Sequence, residues 1–128
     1  MTRLVFEYAV LRAVPRVERG ECVNVGVVLY CQAADFLETA LHVDADRLRA
    51  LDPAVDVDAV HQAAEGLRRT CQGEGPAGAT TLGQRFRWLT APRSTVVHTG
   101  PVHSGLTADA PAELARLVAA LVHVTPAR

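Results

Sequence analysis

Two stretches of this chain carry polar side chains at spacings that packing alone does not require. The first reads Arg19-Gly-Glu21-Cys-Val-Asn24-Val-Gly26-Val. An amide in so apolar a run must find partners or cost roughly 1–3 kcal/mol. Gly26 lies two residues further on, on the same face of an extended chain, and leaves room for another backbone or a ligand to approach. Arg19 and Glu21 flank the start of the run and can pair. Two readings are open: a polar pocket built on a sheet face, or an amide that ties a loop to the sheet beside a glycine that admits a helix.

The second stretch is Arg85-Phe86-Arg87-Trp88-Leu-Thr-Ala-Pro-Arg93-Ser94-Thr95. Arginines interleaved with aromatic rings can grip phosphate and stack bases. Phe86, however, falls on an apolar helical stripe, and Trp88 reads as an anchor in the core or at its rim. Zinc-finger spacing and the aromatic RNA-binding signature are absent, and the pI is about 6.5. Nucleic acid is therefore not the expected partner.

Other chemistries find little support. The histidines His42, His61, His98, His103 and His123 form no His-Glu-x-x-His motif, and no Cys-x-x-Cys accompanies them. His98 and His103 could converge only across the bend at Gly100-Pro101. Neither a metal nor a cofactor is expected. Ser94 and Ser104 lack the Gly-x-Ser-x-Gly turn of a hydrolase nucleophile. Cys22 would need a lowered thiol pKa, and an apolar strand raises it. The pairs Asp44/Asp46 and Asp56/Asp58 sit where helices start, and there they offset the macrodipole. The glycine-rich run 73–78 has no following lysine, so it is not a phosphate-binding loop.

The elements that must position these residues can be read from periodicity. Residues 3–13 alternate as a strand, with Leu4, Phe6, Tyr8 and Val10 on one face and Val5, Ala9 and Leu11 on the other, interrupted by Glu7. Residues 21–31 form the clearest strand, rich in valine. Strict alternation puts Val23, Val25, Val27 and Leu29 on one face and Cys22, Asn24, Gly26, Val28 and Tyr30 on the other. Both faces are largely apolar, so this strand is expected to be central, with at least one face covered by helices. A third strand over 36–43 completes an antiparallel meander.

Helices come next. Asp44 caps a short one through Leu51, and Asp52-Pro53 reads as the start of another, carrying Val57, Val60, Ala64, Leu67 and Cys71. Residues 73–79 read as the flexible loop. Thr81 to Gln84 fits a capping box and opens a helix with Leu82, Phe86 and Leu89 inward, ended by Pro92. Residues 94–104 have extended character broken at Gly100-Pro101. Asp109 starts the last helix, with Leu114, Leu117, Val118, Leu121 and Val122 facing the core. This order predicts an α+β fold: an antiparallel sheet of three to four strands, with three to four helices mainly on one face.

The 128 residues suit a single domain. The hydrophobic fraction of 49% and charged fraction of 21% are those of an ordinary globular chain. Apolar runs are strand-sized, so no membrane span is expected, and without an address signal the expected location is the cytoplasm. Cys22, Cys31 and Cys71 are odd in number and widely spaced, which predicts reduced, mostly buried thiols. All 13 basic residues are arginine, and each can bind carboxylate or phosphate bidentately; the absence of lysine and isoleucine reads as the codon bias of a GC-rich, bacterial genome. Residues 31–65 carry eight acids against two arginines, a net of −6, and residues 66–103 carry five arginines against Glu74, a net of +4. Such asymmetry fits solvated helix faces or a basic surface for an anionic partner.

Taken together, Tyr8, Leu11, Pro15, Arg19-Gly20-Glu21 and Val23-Asn24-Val25-Gly26-Val27 resemble the opening of the bacterial family catalogued as domain of unknown function 3037. Arg85-Phe86, Ala91-Pro92-Arg93-Ser94-Thr95 and Val102-His103-Ser104-Gly105-Leu106-Thr107 resemble its second half. The resemblance implies no assigned activity. It does imply an association with HipA-like kinase proteins encoded nearby, and it points to Arg19, Glu21, Asn24, Arg93 and Ser94 as the motif polar residues.

The expectation is a non-catalytic binding or accessory module that acts through a protein partner. Its surface would use Arg85, Arg87 and Arg93, or the Arg19/Glu21/Asn24/Gly26 end of the sheet. Whether the chain is an enzyme is left open. In the alternative, a small enzyme or ligand binder, Arg19 and Arg93 hold an anionic, phosphorylated substrate and Glu21 serves as acid or base. Binding of nucleic acid is the third reading, which steep salt dependence would reveal.

Overall fold

Two long apolar segments form the centre of the sheet. The computed structural model describes residues 2–124. β1 spans Leu4–Ala13 and β2 spans Val23–Cys31; their β-branched and aromatic side chains suit a pleated, half-buried surface. A single 3-10 turn at Gln32–Ala34 leads into β3, Phe36–Leu41. Helices α1 (Ala45–Leu51), α2 (Val57–Cys71) and α3 (Leu82–Leu89) follow, then β4 (Val97–Thr99), β5 (His103–Thr107) and α4 (Ala110–Leu121).

All strand pairs are antiparallel. The order is β3-β2-β1, with β4 and β5 sharing the far side of β1. β4 pairs with Leu11–Ala13 and β5 with Leu4–Tyr8. The two are one edge strand, broken at Gly100-Pro101 because proline has no N–H to donate. Gly100 still donates to the Val10 carbonyl at 2.8 Å. The fold is α+β, as the element order implied.

Both faces of the sheet are used. α1, α2 and α3 pack on one face, where Ala9, Leu11, Val23, Val25 and Val28 meet Leu48, Val60, Ala64, Phe86 and Leu89. α4 covers the other, its Leu114, Leu117 and Val118, with Val122 just beyond its end, packed on Phe6, Val27, Leu29 and Cys31. Leu121, expected inside, is 37% exposed.

Strict alternation in β2 does not hold. Leu11 opposes Gly26 while Arg12 opposes Asn24, so Val25 is an extra residue in β2, a β-bulge. The bulge turns Val23 and Val25 toward α2 and leaves Val27 and Leu29 facing α4.

The caps decide where helices begin. The Asp44 carboxylate accepts from the Asp46 and Arg47 amides, and Thr81 and Gln84 form the expected capping box. Asp52 does not start α2. Its amide closes α1 on the Leu48 carbonyl, and its carboxylate accepts from Ala54 at 3.0 Å. Already committed to that turn, it leaves the cap of α2 to Asp56, which accepts from Ala59. Among the described residues, no helix is long and apolar enough to cross a membrane.

Candidate functional site

The β1–β2 segment that looked most specified serves the fold. Bulging puts Asn24 on the α4 face, and its side-chain amide donates to the Leu121 carbonyl at 3.0 Å. Arg47 donates to the next carbonyl, Val122, at 3.3 Å. Together they satisfy carbonyls at the end of α4 that have no partner within the helix. Gly26 admits a strand rather than a ligand. A Cβ built there would lie 2.6 Å from the Ala40 carbonyl oxygen and 2.7 Å from Leu41 Cδ2.

Arg19 and Glu21 pair with each other at 2.6 Å on the exposed β1–β2 loop. The bond to Arg19 holds the Glu21 carboxyl below its ordinary range, and Glu21 in turn holds the Arg19 guanidinium above its own. Glu21 is thus engaged as the ion-pair partner of Arg19. The pair borders a shallow depression with Pro15 and Leu51, which Arg93 does not line.

The three arginines expected on one surface separate. Arg85 is 9% exposed. Its guanidinium donates to the carbonyls of Cys71, Ala77 and Thr80 at 3.1–3.2 Å and to the Thr80 hydroxyl at 3.3 Å. These bonds shape residues 73–80, expected to be a flexible loop, around a 3-10 turn at Gly75–Ala79. These bonds commit its donors to the loop, while its side chain still lines a concavity of about 590 Å³ with Thr70, Glu74, Pro76 and Trp88.

Arg87 leaves α3 on the exposed side and grips Glu7 of β1 with two parallel bonds of 2.9 and 2.7 Å. Its guanidinium is held above the usual value by that carboxylate. Arg93 donates to the Trp88 carbonyl at 2.6 Å and lies over the indole, 4.6 Å from the ring centroid. Trp88 is a rim residue, 54% exposed.

Two further concavities lie near the other residues singled out. The larger, about 650 Å³, lies beside α3 where the helix layer stops short of the sheet end. Val5, Glu7 and Tyr30 form its floor, and Gly83, Gln84 and Arg87 form its helical wall. Gly83 permits this close approach, since a Cβ would lie 3.0 Å from the Tyr30 hydroxyl. Beside the groove, Val5 and its cross-strand partner Leu106 are 63% and 56% exposed. They lie on the face that α1–α3 cover elsewhere, by alternation from Ala9 and Leu11.

The smaller, about 240 Å³, lies between the β1–β2 loop and the segment joining α3 to β4. It brings Gly20 and Cys22 next to Arg93, Ser94 and Thr95, with Arg12 and His98 beneath. Residues 19–26 and 85–95 do meet here, but through neighbours of the expected residues: Glu21 and Asn24 do not line it. Cys22 is exposed, against the expectation of a buried thiol, because it precedes the strand rather than lying in it.

The sequence reading missed Val5, Leu106, Arg12 and the Glu7–Arg87 pair. The signal for the pair was the single acid in the otherwise apolar face of β1. His98 and His103 are engaged separately, His98 Nδ1 with the Thr95 carbonyl at 3.0 Å and His103 with the Tyr8 ring. Among the described residues, no three His, Cys, Asp or Glu gather as metal ligands do.

A family model described as a protein of unknown function (DUF3037) matches residues 8–122, nearly the whole chain. No curated protein matches the chain, and no solved structure does.

Proposed function

The chain belongs to the DUF3037 family, and we propose that it works as a non-catalytic binding module for a protein partner. The observation that carries this reading is the exposed Val5–Leu106 pair beside the groove under α3. Large apolar side chains standing together on an uncovered part of a sheet are the ordinary mark of a docking face. The Glu7–Arg87 ion pair lines the same groove, so charged groups stand beside the apolar ones there. Reactive groups do not converge there, and Tyr30 is packed against Phe86, 5.4 Å between ring centroids.

The partner that fits best is a protein with an apolar anchor for the Val5–Leu106 patch and a polar group for Arg87. A HipA-like kinase encoded nearby is the first candidate to test. The two proteins are co-expressed, and complex formation is followed by size-exclusion chromatography and titration calorimetry. A complex that Val5→Glu and Leu106→Glu each abolish, with the fold retained by circular dichroism, supports the assignment. A complex indifferent to both substitutions places the interface elsewhere. Self-association lost in the same variants would identify a second copy of the chain as the occupant and overturn the kinase assignment.

A further inference from the structure

The 240 Å³ cleft at the other end of β1 has a different chemistry. Arg12 and His98 oppose each other across β1 and β4, so both stand on one face of the sheet. Arg12 makes no ion pair and no side-chain hydrogen bond among the described residues, and its guanidinium lies flat on Gly100, where a Cβ would come within 2.7 Å of Cζ. Arg93 lines the same cleft and has no carboxylate partner either; one of its donors is held by the Trp88 carbonyl. The acids of the neighbouring loop are already taken, Glu18 by Arg16 at 3.0 Å and Glu21 by Arg19 at 2.6 Å. No acidic side chain lines the cleft. Ser94 contributes a hydroxyl unengaged among the described residues, and the Thr95 carbonyl fixes the His98 ring through Nδ1.

We propose that this cleft binds a small phosphate monoester, its phosphoryl group held by Arg12, Arg93 and Ser94. Two guanidiniums without a carboxylate are matched by a dianion, and their planar forks suit phosphate oxygens. The cavity is smaller than the roughly 300–1,000 Å³ of sites for drug-sized ligands, so the ligand is compact. Val17, 49% exposed at the cleft wall, gives the ester carbon an apolar surface that free phosphate cannot use. Binding here is independent of the Val5–Leu106 groove.

The test is titration of the whole protein with inorganic phosphate, phenyl phosphate and a single-stranded oligonucleotide, followed by calorimetry and amide NMR. Phenyl phosphate is expected to bind saturably and more tightly than inorganic phosphate, with shifts confined to Arg12, Val17, Gly20, Cys22 and residues 93–98. Arg12→Gln and Arg93→Gln are each expected to weaken it about tenfold or more; Ser94→Ala weakens it less, and Arg16→Gln leaves it unchanged. Should Arg93→Gln disturb Trp88, Arg12→Gln and Ser94→Ala still decide the matter. Absence of saturable binding, equal affinity in Arg12→Gln and Ser94→Ala, or binding of the oligonucleotide alone would overturn the proposal. Val5→Glu is expected to leave phenyl phosphate binding intact, which separates this site from the docking groove.

Discussion

The side-chain amide of Asn24 donates to the main-chain carbonyl of Leu121 at 3.0 Å and joins residues 97 apart in the chain. This bond fastens the end of α4 to the sheet from inside the bulge of β2. Asn24→Ala is expected to lower stability by about 1 kcal/mol, the usual net worth of one such bond, because the exposed carbonyl can turn to water. Urea unfolding should show a lower midpoint with an unchanged m-value. An unaltered midpoint would mean that Arg47 alone holds the helix end.

Two glycines make a paired test. Gly26→Ala forces a methyl group against the Ala40 carbonyl oxygen at 2.6 Å, and backbone in the middle of a sheet has little freedom to yield. The expected loss is roughly 1–3 kcal/mol, as for other overpacked sites. Gly66 lies mid-helix in α2, where a Cβ meets nothing within 4 Å. Gly66→Ala is expected to stabilise the protein by about 1 kcal/mol through helix propensity. Thermal melts of the two variants should move in opposite directions.

How much of this was legible follows from the range of each signal. Capping is local chemistry, so Asp44, Thr81 and Asp109 marked their helices correctly. Asp52 misled because the same side chain can open one helix or close the turn after another, and only the Leu48 contact distinguishes them. The faces of β2 were misassigned beyond Val25 because a bulge is a property of two strands in register. Asn24 and Gly26 stood out for a sound reason, yet their partners come from α4 and β3, which spacing cannot name. Arg85 looked like its exposed neighbours because nothing local says that the loop at 73–80 folds over it. The groove beside α3 and the cleft by the β1–β2 loop are set by packing between distant elements, which spacing does not encode.

Arg85 should behave as the organiser of that loop. Its charged donors satisfy three carbonyls and a hydroxyl, and bonds to a charged group are worth about 1.5–3 kcal/mol each when broken singly. Arg85→Ala is expected to destabilise the fold by roughly 2–3 kcal/mol. It should also raise amide exchange at residues 73–80 well above the change in the β1–β2 ladder. Uniform exchange changes across the protein would show that the loop has no special dependence on this side chain.

The thiols differ in burial, and two measurements follow from it. Burial pushes the Cys71 thiol above its ordinary value, outweighing the opposing hydrogen bond from Thr39. The unfolded thiol ionises at about pH 8.5 while the native one keeps its proton. The stabilising contribution is therefore full below that pH and is lost as pH rises through the higher native value. Cys71→Ala should show a shallower alkaline decline in stability than the parent. At neutral pH a bulky thiol reagent should modify exposed Cys22 in the native protein, and Cys31 and Cys71 only after unfolding. Native labelling of Cys71 at the rate of Cys22 would contradict the packing described for α2.

Arg87 tests whether the groove binds or merely folds. Its forked bonds to Glu7 are well aligned, but the side chains are 58% and 26% exposed, so screening limits the pair to about 1 kcal/mol or less. A double-mutant cycle with Glu7→Gln and Arg87→Gln should return a coupling of that size, shrinking with added salt. Arg87→Glu places two carboxylates together at the rim of the groove. It should cost little more in stability, because both side chains can turn to solvent. If the groove is a docking face, the same substitution should weaken the partner complex about tenfold or more, since a charge at the rim of an interface is felt by the partner even when it adds little to folding. Loss of binding without loss of fold is the pattern that a contact surface produces. Loss of both in proportion would assign the ion pair to structure alone.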